Sequence, residues 1–500
     1  MTIDQNPFEP SKTAISNPLD RARRKAFRRL LPTLFLCYVV AYVDRSNVAL
    51  AKLTMVNDLP GFSNEVIGFG AGIFFIGYFL LEIPGTLLVE KWSARKWISR
   101  IMISWGIVAA LTAFIQTRVP VLTSAAESIY GLLGKPFNVA EFQFYGVRFL
   151  LGLAEAGFFP GVIVYLTHWF PSQDRARALS WFLIATPIAQ IVSPKPTNLL
   201  LKIGTDEMVK GALVHHDAIL GMNGWQWAYI AWGIPAILLG VFVFFFLTDR
   251  PSQARWLDPD EREALEAELK REKELHGAAR HMKLLEAFRN PKVLLLAAAY
   301  FFIVTGNYGV EFFMPSILKR WYNLELDQLT WLVIIPPIGS LIGQLFIGWS
   351  SDRCKERRLH ASLPIYLGAA ALVSSLLIQN RLWLTIALFT VALTGLKAYL
   401  PAFWSLPSLF LTSTAAAGSI GLINSVGNLG GQLGPAVIGK LETLTGSFQR
   451  GIIFLAVSMA ISATIILCLG LGRVTPKSAG SFAEPLAEQL PDTDAIIEPT

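Results

Sequence analysis

Apolar side chains dominate twelve stretches of the chain, each about twenty or more residues long, and short polar segments separate most of them. A helix rises about 1.5 Å per residue, so roughly twenty apolar residues cross a hydrocarbon layer about 30 Å thick. The pattern predicts an all-α membrane protein with twelve transmembrane helices in two six-helix halves. The predicted spans lie near residues 30–53, 66–89, 97–117, 142–168, 178–200, 225–247, 293–318, 328–350, 361–379, 382–411, 415–439 and 450–471.

The composition supports a membrane protein. Of the 500 residues, 53% are hydrophobic and 16% are charged, and the mean hydropathy is +0.47, which is too apolar for a soluble protein of this size. The first apolar run is too long and begins too late for a cleavable signal peptide, so we expect it to stay in the mature protein. The three cysteines have no metal-ligand spacing, and we expect neither a metal nor a cofactor.

The net charge of +7 is unevenly distributed. Most Lys and Arg residues fall in segments that are cytosolic if the N-terminus is cytosolic, which predicts that both termini face the cytosol. This distribution argues against nucleic acid as a partner. The basic cluster just before the first span is expected to set the topology and to contact anionic lipid; it comprises Arg21, Arg23, Arg24, Lys25, Arg28 and Arg29.

The chain divides into five predicted segments around these spans. Residues 1–29 form a basic cytosolic segment, 30–247 the first bundle, 248–292 a cytosolic linker with a short helix, 293–471 the second bundle, and 472–500 a disordered cytosolic tail. The external segments 118–141 and 202–224 are long for loops in a helix bundle. They form either a cap or tolerated insertions.

The two halves repeat one local pattern after their second span, as expected of an internally duplicated transporter. In the second half the pattern reads GWSSDR, residues 348–353, and the first half carries a looser copy ending in Arg95 and Lys96. Each copy puts an acid beside a basic loop at the cytosolic side. We predict that charge pairs there hold the halves together in one conformation; the gating candidates are Glu90, Lys91, Arg95, Asp352 and Arg353.

Four charged residues inside the spans are the strongest functional signal. Asp44 lies about 21 Å along the first span, beside Arg45, and such deeply placed charges usually face a bundle interior or a water-filled cavity. Arg148 and Glu155 are seven residues apart in the fourth span, so they share one helix face. Their depth matches that of Asp44 and Arg45, which predicts one buried cluster of two acids and two bases.

Such a cluster has a chemical use. An arginine stays protonated and forks onto both oxygens of a carboxylate, so Arg45 and Arg148 are candidate anchors for an organic anion. Asp44 and Glu155 are candidates to exchange protons, because burial and neighbouring charges act on a carboxyl group in opposite directions. The alternative is a static salt-bridge cluster that only fixes helix packing.

Other polar residues within the spans are weaker candidates for substrate binding. Tyr78, Trp404, Ser405 and Asn424 either line a cavity or form hydrogen bonds between helices. Lys397 lies mid-span and is a candidate for one more contact with an anion. Lys195 and Glu311 are expected near the outer boundary, where they reach water.

The chain contains five long sequence blocks: YVDRSNVALA, YFLLEIPGTLLVEKWSARKWISRI, RFLLGLAEAGFFPGVIVYLTHWFPSQDRARA, GWQWAYIAWGIPAILLG and PAFWSLPSLFLTSTAAAGSIGLINSVGNLGGQLGP. These blocks resemble the anion:cation symporter family of the major facilitator superfamily, especially bacterial permeases for tartrate, phthalate and hydroxyphenylacetate. The resemblance implies proton-coupled import of a small organic anion by alternating access, in the bacterial inner membrane. It matches Asp44 and Glu155 to the family's proton-coupling acids and Arg45 and Arg148 to its essential arginines. It also matches Tyr78, Trp404 and Asn424 to cavity positions.

Three departures from the family pattern bear on the substrate. Ser93 stands where a glycine is usual, Glu311 stands where an apolar residue is expected, and the two external segments are longer than typical. We predict a proton:organic-anion symporter that works as a monomer. The alternatives are a membrane sensor that binds the ligand without moving it, and an exchanger or exporter of the same fold. An ATP-driven pump and an enzyme are not expected, because the sequence has no phosphate loop and no catalytic constellation.

Overall fold

The computed structural model describes residues 17–91, 93–134, 136–209, 212–275, 289–409 and 413–471. The side on which the first helix begins, with the basic segment at residues 21–29, is called the basic side, and the opposite side is called the hairpin side. The first half contains α1 (Pro18–Asp58), α2 (Asn64–Lys91), α3 (Ala94–Leu111), α4 (Pro120–Leu132), α5 (Val139–Glu155), α6 (Phe158–Trp169), α7 (Ser172–Leu183), α8 (Ala185–Val192), α9 (Pro194–Leu201), strands β1 (Asp206–Val209) and β2 (Ala212–His215), and α10 (Gly224–Phe246).

A linker helix, α11 (Pro259–Leu275), precedes the second half. That half contains α12 (Pro291–Tyr322), α13 (Leu326–Leu332), α14 (Ile335–Cys354), α15 (Arg358–Ser375), α16 (Leu382–Ala398), α17 (Leu400–Ser405), α18 (Ser413–Asn428), α19 (Gly430–Thr445) and α20 (Gln449–Cys468).

The described part of the chain contains ten helical segments long and apolar enough to cross a membrane. The other two predicted spans are also helical and correspond to α15 and to α18 with α19. The all-α membrane fold is therefore confirmed. The chain beyond residue 471, where a disordered tail is predicted, lies outside the described residues.

The first helix is longer than the predicted span of 30–53. It begins at Pro18, where the Asn17 side chain accepts a hydrogen bond from the backbone N–H of Leu19 and proline occupies the first helical position. Both features favour a helix start. The basic segment is thus the first two to three turns of the same helix that carries Asp44 and Arg45.

The fourth predicted span is two helices rather than one. Gly157, between α5 and α6, has φ of +84°, which a residue with a side chain rarely adopts. Arg148 and Glu155 both precede this break, so they keep their place on one face of α5. The break redirects the chain beyond Glu155 and leaves this acid as the last residue of its helix.

Gly152 allows α5 to touch α2. A Cβ atom added there would lie 1.9 Å from the carbonyl oxygen of Phe74, so the two backbones are in direct contact. Helix α2 is therefore the neighbour of α5 at Gly152. This contact places Phe74 and Tyr78 of α2 beside the charged residues of α5.

Replacing Gly152 with alanine is expected to destabilise the protein, because the added methyl group forces α2 and α5 apart. Overpacking of this kind costs about 1–3 kcal/mol. The matched control is Gly146→Ala in the same helix, where an added Cβ meets nothing within 4 Å. Thermal unfolding in detergent should show a lower midpoint for Gly152→Ala only; equal midpoints for the two variants would contradict this reading of the contact.

The two halves meet at the hairpin side through polar contacts. Asn64 Nδ2 donates to Glu442 Oε2 over 2.7 Å, and Lys202 Nζ lies 2.7 Å from Asp327 Oδ2. Lys52 of α1 lies over the ring of Phe313 of α12, with its nitrogen 3.5 Å from the ring centre. These contacts join the two halves at the hairpin side.

The two long segments predicted on the outside have different structures. Residues 118–141 contain α4, whose apolar residues Val121 and Leu132 are largely exposed, and residues 202–224 contain the antiparallel pair of β1 and β2. Thr123 and Ala126 form the buried face of α4. Both segments connect helices of the first half at the hairpin side.

The linker helix α11 binds the basic segment of α1. Glu261, at the start of α11, accepts hydrogen bonds from Lys25 Nζ (2.7 Å) and Arg21 Nε (3.2 Å), and its side chain is fully buried. Arg23 pairs with Asp174 at the start of α7, with a 2.5 Å contact. The expectation that this basic cluster contacts lipid is therefore incomplete. Arg21, Arg23 and Lys25 pair with acids of α7 and α11, because helix α1 extends as far as these acids.

The carboxyl group of Glu261 has a lowered pKa. Burial works in the opposite direction, but hydrogen bonds from Lys25, the backbone N–H of Asp258 and Arg21 together outweigh it. A group whose folded pKa is depressed contributes stability at pH values above its unfolded pKa, which is about 4.3 for glutamate, and that contribution is lost as the pH falls through the folded pKa. Docking of α11 on α1 is therefore acid-sensitive.

We expect Glu261→Gln to loosen α11 at neutral pH, since the neutral amide no longer attracts Lys25 and Arg21. Residues 259–275 should be less protected from hydrogen–deuterium exchange in this variant, and in the wild type their protection relative to the intrinsic exchange rate at each pH should fall below about pH 4. The control is Glu263→Gln, an exposed acid on the same helix. Unchanged exchange in Glu261→Gln would show that the ion pairs do not hold the linker.

Candidate functional site

The charged residues of α1 and α5 meet inside the first half. Arg45 lies 2.6 Å from Glu155, which is fully buried, whereas the side chain of Arg45 remains 15% exposed. The second carboxylate oxygen of Glu155 is also buried and has no hydrogen-bond partner among the described residues. Glu155 thus depends on Arg45 as its directly contacting cation.

Asp44 and Arg148 form the other part of the cluster. Asp44 Oδ2 accepts a hydrogen bond from Trp105 Nε1 of α3 over 3.1 Å, and its Oδ1 is buried without a hydrogen-bond partner in the described structure. Arg148 is buried, its Nε donates to the carbonyl of Gly70 at 3.4 Å, and its Nη1 has no hydrogen-bond partner in the described structure. Asp44 also interacts electrostatically with Arg148.

An aromatic ring joins the two arginines. The guanidinium carbons of Arg45 and Arg148 lie 5.4 Å and 5.3 Å from the ring centre of Phe74. Arg45 also lies 5.1 Å from the ring centre of Tyr78. A ring face attracts a cation at such distances, so Phe74 holds two positive charges together that would otherwise repel each other.

Arg45 faces a cavity between the two halves. The cavity is lined on one wall by Tyr42, Arg45 and Ser46 of α1 and by Gln190 of α8. The opposite wall is formed by α12, α14, α16 and Val333, which lies between α13 and α14, and its polar members are Tyr308 and Glu311. Arg45 therefore connects the buried cluster with space that a small molecule can enter.

The expected position of Glu311 near the outer boundary is wrong. Its side chain is only 10% exposed, and its Oε1 lies 2.6 Å from Nζ of Lys397, which is equally buried. Its Oε2 accepts a hydrogen bond from the hydroxyl of Tyr42 over 2.9 Å. Helix α12 continues eleven residues beyond Glu311, to Tyr322, which places Glu311 in the protein interior. Lys397 is consequently already paired with an acid.

The weaker candidates lie at separate places. Tyr78 is buried against Arg45, whereas Trp404 packs edge-on against Tyr300 at 5.0 Å within the second half. Ser405 donates to the carbonyl of Ala402. Asn424 of α18 donates to Glu82 of α2 over 2.5 Å and so joins the two halves. Of these candidates, only Tyr78 contacts the arginine that faces the cavity.

The gating candidates whose side chains the structure describes have partners within a half rather than across the two halves. Arg95 lies 3.8 Å from Asp249, which also accepts hydrogen bonds from the backbone of Arg95 and from Ser93. Asp352 lies 2.6 Å from Arg357, and Arg353 stacks on Trp349. The side chains of Glu90 and Lys91 lie outside the described residues. Neighbouring helix ends of one bundle supply the partners in this conformation, so the expectation of pairs between the halves does not describe it.

Several residues of the site were missed at the sequence level. Trp105 carried a signal, because it lies in the middle of its span although tryptophan prefers membrane interfaces. Glu311 carried one as well, since it stands where the family pattern has an apolar residue. Tyr42, Tyr308 and Gln190 carried none, because nothing along the chain shows which faces of three different helices meet.

Comparison with known proteins agrees with this architecture. The family model described as Major Facilitator Superfamily matches residues 34–435. The chain is 38% identical to a putative tartrate transporter of Agrobacterium vitis, with 93% of this chain and 97% of the relative covered. It is 34% identical to the putative metabolite transport protein NicT of Pseudomonas putida, with 91% and 97% covered. The inward-open xylose transporter XylE of E. coli superposes with a TM-score of 0.66 at 14% identity, covering 90% of this chain and 98% of that one.

The chain belongs to the Major Facilitator Superfamily. It is a multi-pass membrane transporter of a small molecule and not an enzyme. The resemblance to anion permeases noted in the sequence blocks is confirmed by these relatives.

Proposed function

We propose that this protein is a proton-coupled symporter that imports a small organic anion by alternating access. The observation that carries the proposal is the contact between Arg45 and Glu155 at the edge of the cavity, with Arg148 and Asp44 behind it. The tartrate transporter among the relatives supports a carboxylate as substrate. Candidate substrates are aromatic carboxylates and hydroxy- or dicarboxylates.

Coupling follows from competition for Arg45. A substrate carboxylate that binds Arg45 displaces Glu155, which is then buried without its directly contacting cation and is more stable with a proton. Conversely, a proton on Glu155 frees Arg45 for the anion. Binding of the proton and of the substrate therefore assist each other, and this linkage is reciprocal.

Asp44 supplies a second proton site. One of its oxygens is held by Trp105 and the other is buried without a hydrogen-bond donor among the described residues, a setting that tolerates a protonated acid. One proton carried with one monoanion moves no net charge. A second proton adds about 2.3 kcal/mol per 100 mV of membrane potential, so two acids let the potential drive uptake.

We propose that the basic side is cytosolic and that the protein lies in the bacterial inner membrane as a functional monomer. The distribution of Lys and Arg supports the orientation, because positive residues are retained on the cytosolic side. Tyr78, Trp404, Ser405, Asn424 and Lys397 remain proposed substrate-side residues, with Tyr78 best placed through its contact with Arg45.

Uptake into liposomes that contain the purified protein tests this function. The panel pairs aromatic acids (phthalate, 4-hydroxyphenylacetate) with hydroxy acids (tartrate), with and without an inward proton gradient. We expect concentrative uptake of at least one acid only when the gradient is present. Binding without uptake would instead indicate a sensor, and uptake that needs a counter-anion but no proton gradient would indicate an exchanger.

A further inference from the structure

The cavity carries opposite charges on its two walls. Arg45 comes from the first half, and Glu311 comes from the second half. Tyr308 lines the cavity as well. An anion held by Arg45 therefore extends toward a carboxylate, which is a poor neighbour for a second negative charge.

Lys397 changes the character of that carboxylate. Lys397 Nζ lies 2.6 Å from Glu311 Oε1 and 3.1 Å from the hydroxyl of Tyr42, and Lys397 is not among the residues that line the cavity. The cation is thus behind the carboxylate, and Glu311 is in front. The pair as a whole is neutral, so it does not expel an anion from the cavity.

Glu311 keeps free acceptor capacity in this arrangement. A carboxylate offers about four acceptor positions. Lys397 occupies one oxygen, and the hydroxyl of Tyr42 occupies the other with a 2.9 Å hydrogen bond. The remaining positions suit a donor that enters from the cavity. A buried acid–base pair stabilises a protein little more than apolar residues of the same size do. Packing alone therefore does not explain this pair, which favours a role in recognition.

We propose that Glu311 accepts a hydrogen bond from a hydroxyl or ammonium group at the far end of the transported anion. The cavity then selects hydroxy- or amino-carboxylates over carboxylates that lack such a donor. Lys397 and Tyr42 act as positioning residues that hold the acid. This inference rests on the proposed function, since it assumes that Arg45 and Arg148 hold the carboxylate end.

Calorimetric titration of the purified protein in detergent tests the selection with two matched pairs of probes. The first pair is 4-hydroxyphenylacetate and phenylacetate, and the second is tartrate and succinate. A hydrogen bond to a charged acceptor predicts that the hydroxylated member of at least one pair binds about 10- to 100-fold more tightly. Equal affinities within both pairs would overturn the proposal.

The variant that removes the acceptor is the double substitution Glu311→Met and Lys397→Met, which takes out both charges together and leaves no unpaired ion. It should bind both members of a pair with about equal affinity, so that the preference for the hydroxylated member is lost. Glu325→Gln, an exposed acid near the start of α13, is the control and should keep the selectivity. A thermal unfolding scan checks that each variant is folded.

These outcomes test the role of Glu311 separately from the existence of the anion site. Retained selectivity in a folded double variant would overturn the role of Glu311 and leave the anion site standing. Tyr42→Phe is a milder variant for the case that the double variant does not fold. It removes only the hydroxyl that orients Glu311, and it should reduce the selectivity. Failure of every probe to bind the wild type would count against organic-anion recognition itself.

Discussion

Asp44→Asn is expected to abolish accumulation driven by the membrane potential, because the proton on Glu155 alone makes transport of a monoanion electroneutral, while substrate exchange persists. Asparagine keeps the shape of the side chain and an oxygen that accepts the hydrogen bond from Trp105, so only the exchangeable proton is lost. A pH difference of one unit is worth about 1.4 kcal/mol per proton, which supports roughly tenfold accumulation of a monoanion. In proteoliposomes the variant should therefore keep about tenfold accumulation with a pH difference of one unit, but reach a ratio of about one with an inside-negative potential and no pH difference.

The control for this experiment is Asp217→Asn, which makes the same chemical change far from the cluster. Asp217 follows strand β2, and its side chain is 97% exposed. It should accumulate substrate as the wild type does. Exchange of labelled for unlabelled substrate, measured without a gradient, shows whether Asp44→Asn still binds and moves its ligand. Full potential-driven accumulation by Asp44→Asn would remove this acid from proton coupling and leave Glu155 as the candidate.

Arg148→Ala is expected to weaken binding of the carboxylate by roughly 100-fold or more, on the order of 3 kcal/mol. The guanidinium of Arg148 is buried, and one of its nitrogens has no hydrogen-bond partner among the described residues, so it has a donor to offer. Arg148→Lys keeps the charge without the planar fork and should fall between wild type and alanine. Equilibrium binding in detergent measures the difference.

Loss of binding has a second possible cause, since Arg148 also stacks on Phe74 and donates to Gly70. A thermal unfolding midpoint close to that of wild type separates the loss of an anchor from loss of the fold. Arg118→Ala removes an arginine that is 66% exposed and should leave affinity unchanged. Wild-type affinity in Arg148→Ala would eliminate this residue as the anchor.

The sequence was informative where a signal is local. Twelve apolar runs specify membrane helices because the hydrocarbon layer demands internal backbone hydrogen bonds over a fixed length. The seven-residue spacing of Arg148 and Glu155 predicts a shared face, because seven residues are about two turns of a helix with 3.6 residues per turn. The long motif blocks identified the superfamily, and the relatives confirm it.

Local sequence signals did not predict the partners of the charged residues. Depth along the spans put Asp44 and Arg148 at one level, but it did not reveal that Trp105 holds Asp44 or that Phe74 lies between the arginines. The estimate for Glu311 failed because counting residues from a predicted span end ignores how far a helix continues. The gating candidates pair within each half because neighbouring helix ends offer nearer partners than the opposite bundle does in this conformation.

Local composition and periodicity thus suffice for the number of membrane helices, their division into two halves and the presence of ionisable groups at mid-depth. Which acid faces which base depends on the rotation and tilt of α1, α5, α12 and α16 against one another. Those angles arise from contacts between residues far apart in the chain, such as Gly152 against Phe74 and Tyr42 against Glu311. A charge buried in a bundle takes its chemistry from its neighbours, and only the folded arrangement supplies them.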